Sequence, residues 1–519
     1  MEDIFSLIQC LTTREWESLQ SYLTCFSTHA HDESNLKQLQ LAKILREEQD
    51  CPSSTRCSLK IYGVKEGQNF EKLKSRLKEK ILDFLLTDIS CDKKQELDEV
   101  DYKNVQMKKK SAQFQQLFYS KRRIPMMFYL LDEIIRDAKE YEQYTLLIEH
   151  LKAKKNMVSW KRGNPEFKKI NTELEAAMKC CALYIKAENY YYEVQIQNHY
   201  KARQNESEKL LWLQKMITEI ETENQDIKSP HVNYSLTFLK IEYYQLIRDY
   251  ASARSTCTDL LNIVRNNKSV YRRQRIGIAY DTLSQCDHFL GNFEQAAEWA
   301  QQAQKHFNLN SENYCTALEQ EFYALFAMKN YSASVEIANK MLTSATRKEL
   351  GELRFSQYNY LLANALFKQN KFTEALQLLS QSREIAKDKA GWEVGARILK
   401  IMTLIETLKL DEAGLAVKSL KEFFRYTDKK TPVSVRDKKI LNLLLIAERA
   451  GFTFSTLNGN TDEYMKYLTS SDKDKRWEPF THELIPFHEW FAGKMRVKIQ
   501  VTSQKTPALK KVKQKTAAH

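Results

Sequence analysis

No group of residues in this 519-residue sequence has the spacing of a known catalytic or metal-binding motif. It has no glycine-rich phosphate loop, no GxSxG and no HExxH. His482 and His488 flank Glu483, but six residues of separation put them on different faces of a helix, and Pro486 interrupts any helix between them. We interpret them as surface histidines beside aromatic residues. We therefore expect no enzymatic activity, no metal and no cofactor.

The ten cysteines are scattered and contain no CxxC motif. Cys180 and Cys181 are adjacent, and neighbouring side chains diverge on a helix, so a redox pair is not favoured. We expect small buried apolar residues in a reducing compartment. The sequence opens Met1-Glu2-Asp3 without a basic leader, and it contains no long apolar run. These features predict a cytoplasmic protein that does not span a membrane.

The elements that carry these residues are predicted to be helical. Glycine and proline number 12 and 8, too few for a fold of many short strands and tight turns. The apolar fraction of 43% is sufficient for a packed interior. Length and composition together favour several domains or a repeat array of helices.

Two stretches share one pattern: a helix, a two-residue turn, an aromatic residue that opens the next helix, and small residues where the helices touch. The first stretch, 276–307, is carried by Tyr280, Leu283, Leu290, Gly291, Asn292, Phe293, Ala296, Ala300 and Ala303. The second, 355–379, is carried by Tyr358, Leu362, Ala363, Leu366, Asn370, Lys371, Phe372, Ala375 and Leu379. The pattern resembles the tetratricopeptide repeat. The resemblance implies stacked antiparallel helix pairs.

The same turn recurs along the middle of the chain. Its aromatic or equivalent residues are Tyr250, Phe293, Tyr331, Phe372 and Leu410, each followed three positions later by a small residue: Ala253, Ala296, Ser334, Ala375 and Ala413. The spacings of 43, 38, 41 and 38 residues exceed the regular period of about 34. We predict an all-α fold, a right-handed α-solenoid of divergent tetratricopeptide-like helix pairs with a helical N-terminal unit.

The predicted organisation has five segments. Residues 1–101 form the N-terminal helical unit, 102–230 a helical region of early irregular repeats, 231–426 the repeat array, 427–495 a C-terminal helical cap, and 496–519 a basic disordered tail. Residues 50–68 contain Pro52, Gly63 and Gly67 and are predicted to be a loop, with a short extended piece at 59–62. That loop is too long for a helix-turn-helix DNA reader. Trp477, Phe480, Ile485, Phe487, Trp490 and Phe491 are interpreted as covering the open end of the array, with a partner site as the alternative.

The resemblance implies a concave groove lined by the first helix of each pair. The residues expected to face it are Glu242, Gln245, Asp281, Gln285, His288, Glu319, Tyr323, Gln357, Tyr360, Asn364 and Lys368. The lining is polar and slightly acidic, which suits an extended peptide. Asp281 and Glu319 would repel a carboxylate, so a clamp for acidic chaperone C-termini is not favoured. The leading interpretation is a scaffold or adaptor that binds a partner protein or peptide in this groove. Self-association is also possible.

A second interpretation follows from the uneven charge. The net charge of +13 lies in two segments without acids, 102–131 with seven basic residues and 491–519 with eight, so the remaining chain is nearly neutral. Lys108, Lys109, Lys110, Arg122 and Arg123 are the candidate nucleic-acid contacts. Such segments bind phosphate backbones weakly and without sequence preference. A nucleic-acid-associated or transcription-regulatory protein, including a regulator that senses a signalling peptide, is therefore the alternative.

Overall fold

The structure is a computed structural model. It describes residues 1–25, 33–65, 67–87, 97–120, 124–159, 164–200, 206–309, 311–344, 347–381, 391–428, 433–457, 459–470, 472, 475, 477 and 481–496. The predicted tail at 496–519 lies outside these ranges except for its first residue, as do Arg122, Arg123 and Phe480.

Within these ranges the chain is all-helical, as predicted. The first ten helices are α1 Glu2–Gln9, α2 Thr13–Cys25, α3 Glu33–Glu47, α4 Ser54–Tyr62, α5 Gln68–Thr87, α6 Glu99–Tyr119, α7 Ile124–Glu140, α8 Tyr144–Ser159, α9 Asn164–Tyr200 and α10 Glu206–Ile227. The next seven are α11 Pro230–Leu246, α12 Tyr250–Asn266, α13 Arg273–Leu290, α14 Phe293–Gln304, α15 Glu312–Ala327, α16 Tyr331–Ser344 and α17 Arg347–Lys368. The last six are α18 Phe372–Gln381, α19 Trp392–Glu406, α20 Leu410–Thr427, α21 Val435–Arg449, α22 Asp462–Leu468 and α23 Phe487–Arg496, with one 3₁₀ turn at Phe454–Thr456.

The chain divides into two compact units. Unit 1 contains residues 1–186, 226–231 and 266–272, and unit 2 contains residues 187–225, 232–265 and 273–519. Unit 1 has one core among α1 to α5, around Leu41, Leu45 and Leu77, and another among α6 to α9, around Leu131 and Tyr141. The predicted segment boundaries at 101, 230 and 426 stay predictions.

Unit 2 confirms the tetratricopeptide-like arrangement. From α13 to α20 each helix packs against the next, and the first helices of neighbouring pairs also touch, α13 with α15 and α17 with α19. Apolar positions of both helices in a pair therefore face each other, while one side of the first helices is left as a separate polar surface. The small residues predicted at the helix contacts are fully buried: Ala253, Ala296, Ser334, Ala375 and Ala413.

The turn between paired helices has one hydrogen-bond pattern. A backbone N–H after each first helix donates to the carbonyl five residues earlier, at 2.8 to 3.0 Å, which is the Schellman closure of a helix end. The donor and acceptor pairs are Asp249 and Tyr244, Asn292 and Asp287, Asn330 and Leu325, Lys371 and Leu366, and Lys409 and Leu404. The residue before each donor has positive φ: Arg248, Gly291, Lys329, Asn370 and Leu408.

The same turn also occurs where the sequence could not set the register. Glu142 has φ +51°, and the Gln143 N–H donates to the Ala138 carbonyl at 2.8 Å. Tyr144 then opens α8, as the turn aromatics open their helices. The repeat turn is therefore already present in unit 1, between α7 and α8.

One local prediction was wrong. Residues 54–62 form α4, where a loop with an extended piece was predicted. Ser53 caps the helix by accepting a bond from the Arg56 N–H at 3.3 Å, and Gly63, at φ +71°, ends it by donating to the Leu59 carbonyl. The serine and glycine that suggested a loop are the two caps of a short helix.

Candidate functional site

The candidate site is a polar surface on the first helices of unit 2. We call it the first-helix surface, and it comprises Gln245 on α11, Asp281 and Gln285 on α13, Glu319 and Tyr323 on α15, and Gln357, Tyr360 and Asn364 on α17. All were predicted groove residues. At its N-terminal end the Gln245 side-chain amide donates to the Gln285 carbonyl oxygen at 3.1 Å. Neighbouring first helices are thus joined through their polar side chains.

Acidic groups occupy the centre of the surface. Glu319 accepts a bond from the Tyr358 hydroxyl at 2.6 Å and forms an ion pair with Arg354 at 3.2 Å. Arg354 also bonds Glu312 and Thr316, so one guanidinium ties α17 to α15 at three points. Burial raises the pKa of Glu319, and Arg354 opposes that effect. The Arg354 guanidinium therefore favours the charged form of Glu319, while burial disfavours it.

No cation in the described part of the chain acts on Asp281 in this way. Burial, followed by the negative charge of Glu319, raises the pKa of Asp281 to about 7. The residue as a whole is partly exposed, but its Oδ1 is buried and makes no hydrogen bond with the described part of the chain. A buried acceptor without a donor costs about 1–3 kcal/mol. A ligand that supplies an N–H or a positive charge at this point would recover that energy.

The C-terminal part of the surface is more enclosed. Tyr323 and Tyr360 are buried, and burial raises the pKa of both hydroxyls, with Glu319 adding to the effect at Tyr323. Gln357 bonds the Tyr323 hydroxyl. Asn364 is only 1% exposed, and its amide donates to the Tyr360 carbonyl at 2.8 Å. Tyr360 and Asn364 are therefore not open to solvent in this structure.

A non-helical segment of the same chain covers these two residues. We call residues 481–486 the strap. The Tyr360 hydroxyl donates to the His482 carbonyl, and Leu484 and Ile485 of the strap are buried. The strap and the first helices α17 and α19 together enclose a cavity of about 20 Å³.

The start of α21 anchors the strap. Arg436 donates to both carboxylate oxygens of Glu483, at 2.5 and 3.0 Å, and the His482 Nε2 lies 2.8 Å from the Asp437 Oδ1. Ser434 caps α21, accepting from the Asp437 N–H and donating to its carboxylate. The two histidines expected at the surface therefore lie in a packed polar cluster, since His482 is 16% exposed and the His488 Nδ1 is 3.2 Å from Arg436.

The remaining predicted groove residues lie elsewhere. His288 is buried against the ring of Phe293 at the repeat turn, and burial lowers its pKa to about 4. Lys368 is exposed, with its Nζ 5.6 Å from the Tyr331 ring centroid. Glu242 on α11 is partly exposed. His288 and Lys368 thus lie beside the aromatic residues that follow the repeat turns.

The basic residues of 102–131 are only partly available. Lys110 forms an ion pair with Glu133 at 2.9 Å and lies 3.7 Å from Asp137. Lys108 is exposed, and Lys109 is partly exposed. Nucleic-acid binding by this segment stays a prediction.

Sequence reasoning missed Arg354, Gly395, Arg436 and Asp437. Gly395 lies on α19 and has an ordinary helical backbone, so nothing local marks it. Arg436 and Asp437 follow Ser434, which signals a helix start but not which segment packs against it. Their role depends on a segment more than forty residues away, and helical periodicity carries no information about such contacts.

Neither a metal centre nor a membrane span is formed by the described ranges. No group of histidine, cysteine, aspartate or glutamate side chains there could hold a metal ion. No described helix is both long and apolar enough to cross a membrane.

Comparison with known proteins gives a fold likeness at low identity. No family model matches the chain, and no curated protein matches it. Among solved structures, the apo form of RapI matches with 14% identity and a TM-score of 0.44, over 64% of this chain and 86% of RapI. The apo form of the quorum sensor NprR from B. thuringiensis matches with 13% identity and a TM-score of 0.41, over 69% of this chain and 99% of NprR. The APC/C hetero-tetramer Cut9–Hcn1 matches with 12% identity and a TM-score of 0.36, over 83% of this chain and 73% of that one.

Proposed function

We propose that this protein is an adaptor without enzymatic activity that binds an extended segment of a partner protein on the first-helix surface. The observation that carries the proposal is Asp281, whose Oδ1 is buried beside Glu319 without a donor in the described part of the chain. A bound segment would supply that donor from a backbone N–H or from a lysine or arginine side chain.

The neighbouring side chains support an extended ligand. Gln245 and Gln285 offer both donors and acceptors to a peptide backbone, and they lie on α11 and α13, the first helices of neighbouring pairs. Glu319 adds a negative charge whose position is fixed by Arg354 and Tyr358. A cationic side chain placed between the two carboxylates would favour the charged form of Asp281.

The test is an affinity capture from the protein's own cell lysate, run with nuclease and without it. We expect a discrete partner that survives nuclease and that the Asp281→Asn, Gln285→Ala double variant retains at least tenfold less well. Glu374→Gln is the matched control, since it removes one negative charge from an exposed position of the second helix α18. Equal retention by the double variant at unchanged helicity would exclude the first-helix surface. Loss of all bound material on nuclease treatment would instead favour the basic segments.

A further inference from the structure

The strap lies on the first-helix surface as a peptide ligand would. Its contacts come from three elements of unit 2, α17, α19 and α21, and they recognise both its backbone and its side chains.

One backbone carbonyl of the strap makes specific contacts with the helices. The His482 oxygen accepts the Tyr360 hydroxyl bond, and the same oxygen lies against Gly395. A Cβ atom at residue 395 would stand 2.3 Å from that oxygen and 2.8 Å from the Tyr360 hydroxyl. Any side chain at residue 395 would therefore displace the strap, so α19 is shaped to admit a peptide backbone at this point.

The side chains of the strap lie beside one cation, Arg436, and beside apolar residues of α19. Arg436 binds Glu483 through two nitrogens, a bidentate geometry that suits a carboxylate. Leu484 and Ile485 line one cavity together with Ile398, Leu399 and Met402 of α19. The strap thus presents a carboxylate followed by two aliphatic residues.

A small cavity remains between the strap and the helices that it packs against. The cavity of about 20 Å³ between the strap and the helices exceeds the volume needed for one water molecule and is lined mainly by apolar groups.

We propose that the strap is a built-in occupant of a peptide site, and that the site takes from a partner protein an extended segment in which glutamate is followed by two aliphatic residues. This rests on the proposed function, because the site continues the first-helix surface beyond Gln357. The partner segment displaces the strap by making the same contacts. Because the strap is tethered, its effective concentration is of order millimolar, and a free peptide meets that competition in the intact chain.

The experiment uses a fluorescein-labelled peptide of residues 481–488 and the full-length chain. We expect it to bind the Glu483→Gln, Leu484→Ser variant, whose strap is weakened, at least tenfold more tightly than the wild type. The same peptide with lysine in place of its glutamate should not bind. Adding Tyr360→Phe to the variant should weaken the peptide severalfold, since one hydroxyl is lost without a change of shape. If the Glu483→Gln, Leu484→Ser variant keeps its helicity and the peptide shows no saturable binding to it, the proposal is overturned.

A second measurement works if the variant does not fold. Excess unlabelled peptide should accelerate hydrogen exchange at the Phe487 amide of the wild type, because that N–H is bonded to Glu483 at 2.8 Å. Unchanged exchange at millimolar peptide would contradict displacement. A dimer seen by light scattering and abolished by Leu484→Ser would assign the site to a second copy of the chain and overturn the foreign partner. The Asp281 variant tests the central surface, so the two proposals can fail separately.

Discussion

Asp281 is a carboxyl group on the first-helix surface whose pKa is raised to about 7. Its two perturbing influences, burial and Glu319, act in the same direction. The helical spacing in the sequence puts Asp281 and Gln285, four positions apart, on one side of α13, because a 3.6-residue period fixes which positions share a side of a helix. The sequence did not reveal the environment of Asp281. Burial depends on how closely neighbouring helices approach, and spacing does not specify that distance.

The raised pKa gives a prediction for Asp281→Asn. The folded state holds the proton up to about pH 7, while the unfolded state releases it near 3.8. Stability contributed by the protonated group is therefore complete below pH 3.8 and is lost as pH rises to 7. The substitution should raise the free energy of unfolding at pH 8 by up to about 4 kcal/mol and by little at pH 4. Urea denaturation at the two pH values measures this, with Glu374→Gln as the control, which should change the free energy of unfolding by less than about 1 kcal/mol at either pH. A gain that does not depend on pH would contradict the titration.

At the scale of the element, the repeat turn is the unit that the sequence predicted best. An aromatic residue at the start of the second helix packs on a residue five positions earlier, as Phe293 does on His288 and Phe372 on Phe367. The small residue three positions later is buried in every case. These are local contacts, and a short window of sequence contains all of their participants. The sequence did not predict helix α4, because only Cys57 and Ser58 of its nine residues are buried, too few to show a helical period.

The turns also predict a reciprocal pair of stability changes. Leu408 has φ +58° and is 80% exposed, so it carries the strain of a left-handed backbone without any compensating burial. Leu408→Gly should stabilise the fold by about 1 kcal/mol, whereas Leu408→Ala should be nearly neutral. Gly291 has φ +84°, and a Cβ atom placed there would meet no other atom within 4 Å, so Gly291→Ala should cost about 1 kcal/mol through the backbone alone. Thermal denaturation at one pH measures all three. Stabilisation by alanine equal to that by glycine at 408 would show that backbone strain is not the cause.

At the scale of the whole molecule, contacts distant in sequence decide what the surface offers. The Tyr360 hydroxyl meets the His482 carbonyl across 122 residues. The aromatic residues near the end of the chain were predicted to pack as a cover, and Phe487 and Phe491 are fully buried. The strap that they hold in place was not predicted, because a segment without periodicity has no signal for where it lies.

Phe487 directly follows the strap, and its burial gives a further prediction. The residue is fully buried, and its ring lies 5.5 Å from Trp490 and 5.6 Å from Phe491. Phe487→Ala should lower the free energy of unfolding of unit 2 by about 3–5 kcal/mol, through lost burial and the cavity left behind. Tyr426→Ala removes an aromatic ring that is 62% exposed and should change stability by less than about 0.5 kcal/mol. Urea denaturation compares the two, and equal effects would place Phe487 outside the core.

The discontinuous composition of unit 1 has a consequence for the order in which the protein can be made. Asp101 binds Arg272, and Glu142 accepts bonds from the His231 N–H and the Ser269 hydroxyl. During synthesis these carboxylates emerge long before their partners, since residue 272 is 86 positions beyond the last residue of the first segment. At about 5–20 residues per second the ribosome needs several seconds to supply them. The nascent chain therefore carries an incomplete unit 1, without these partners of Asp101 and Glu142, until residue 272 beyond α12 has been translated.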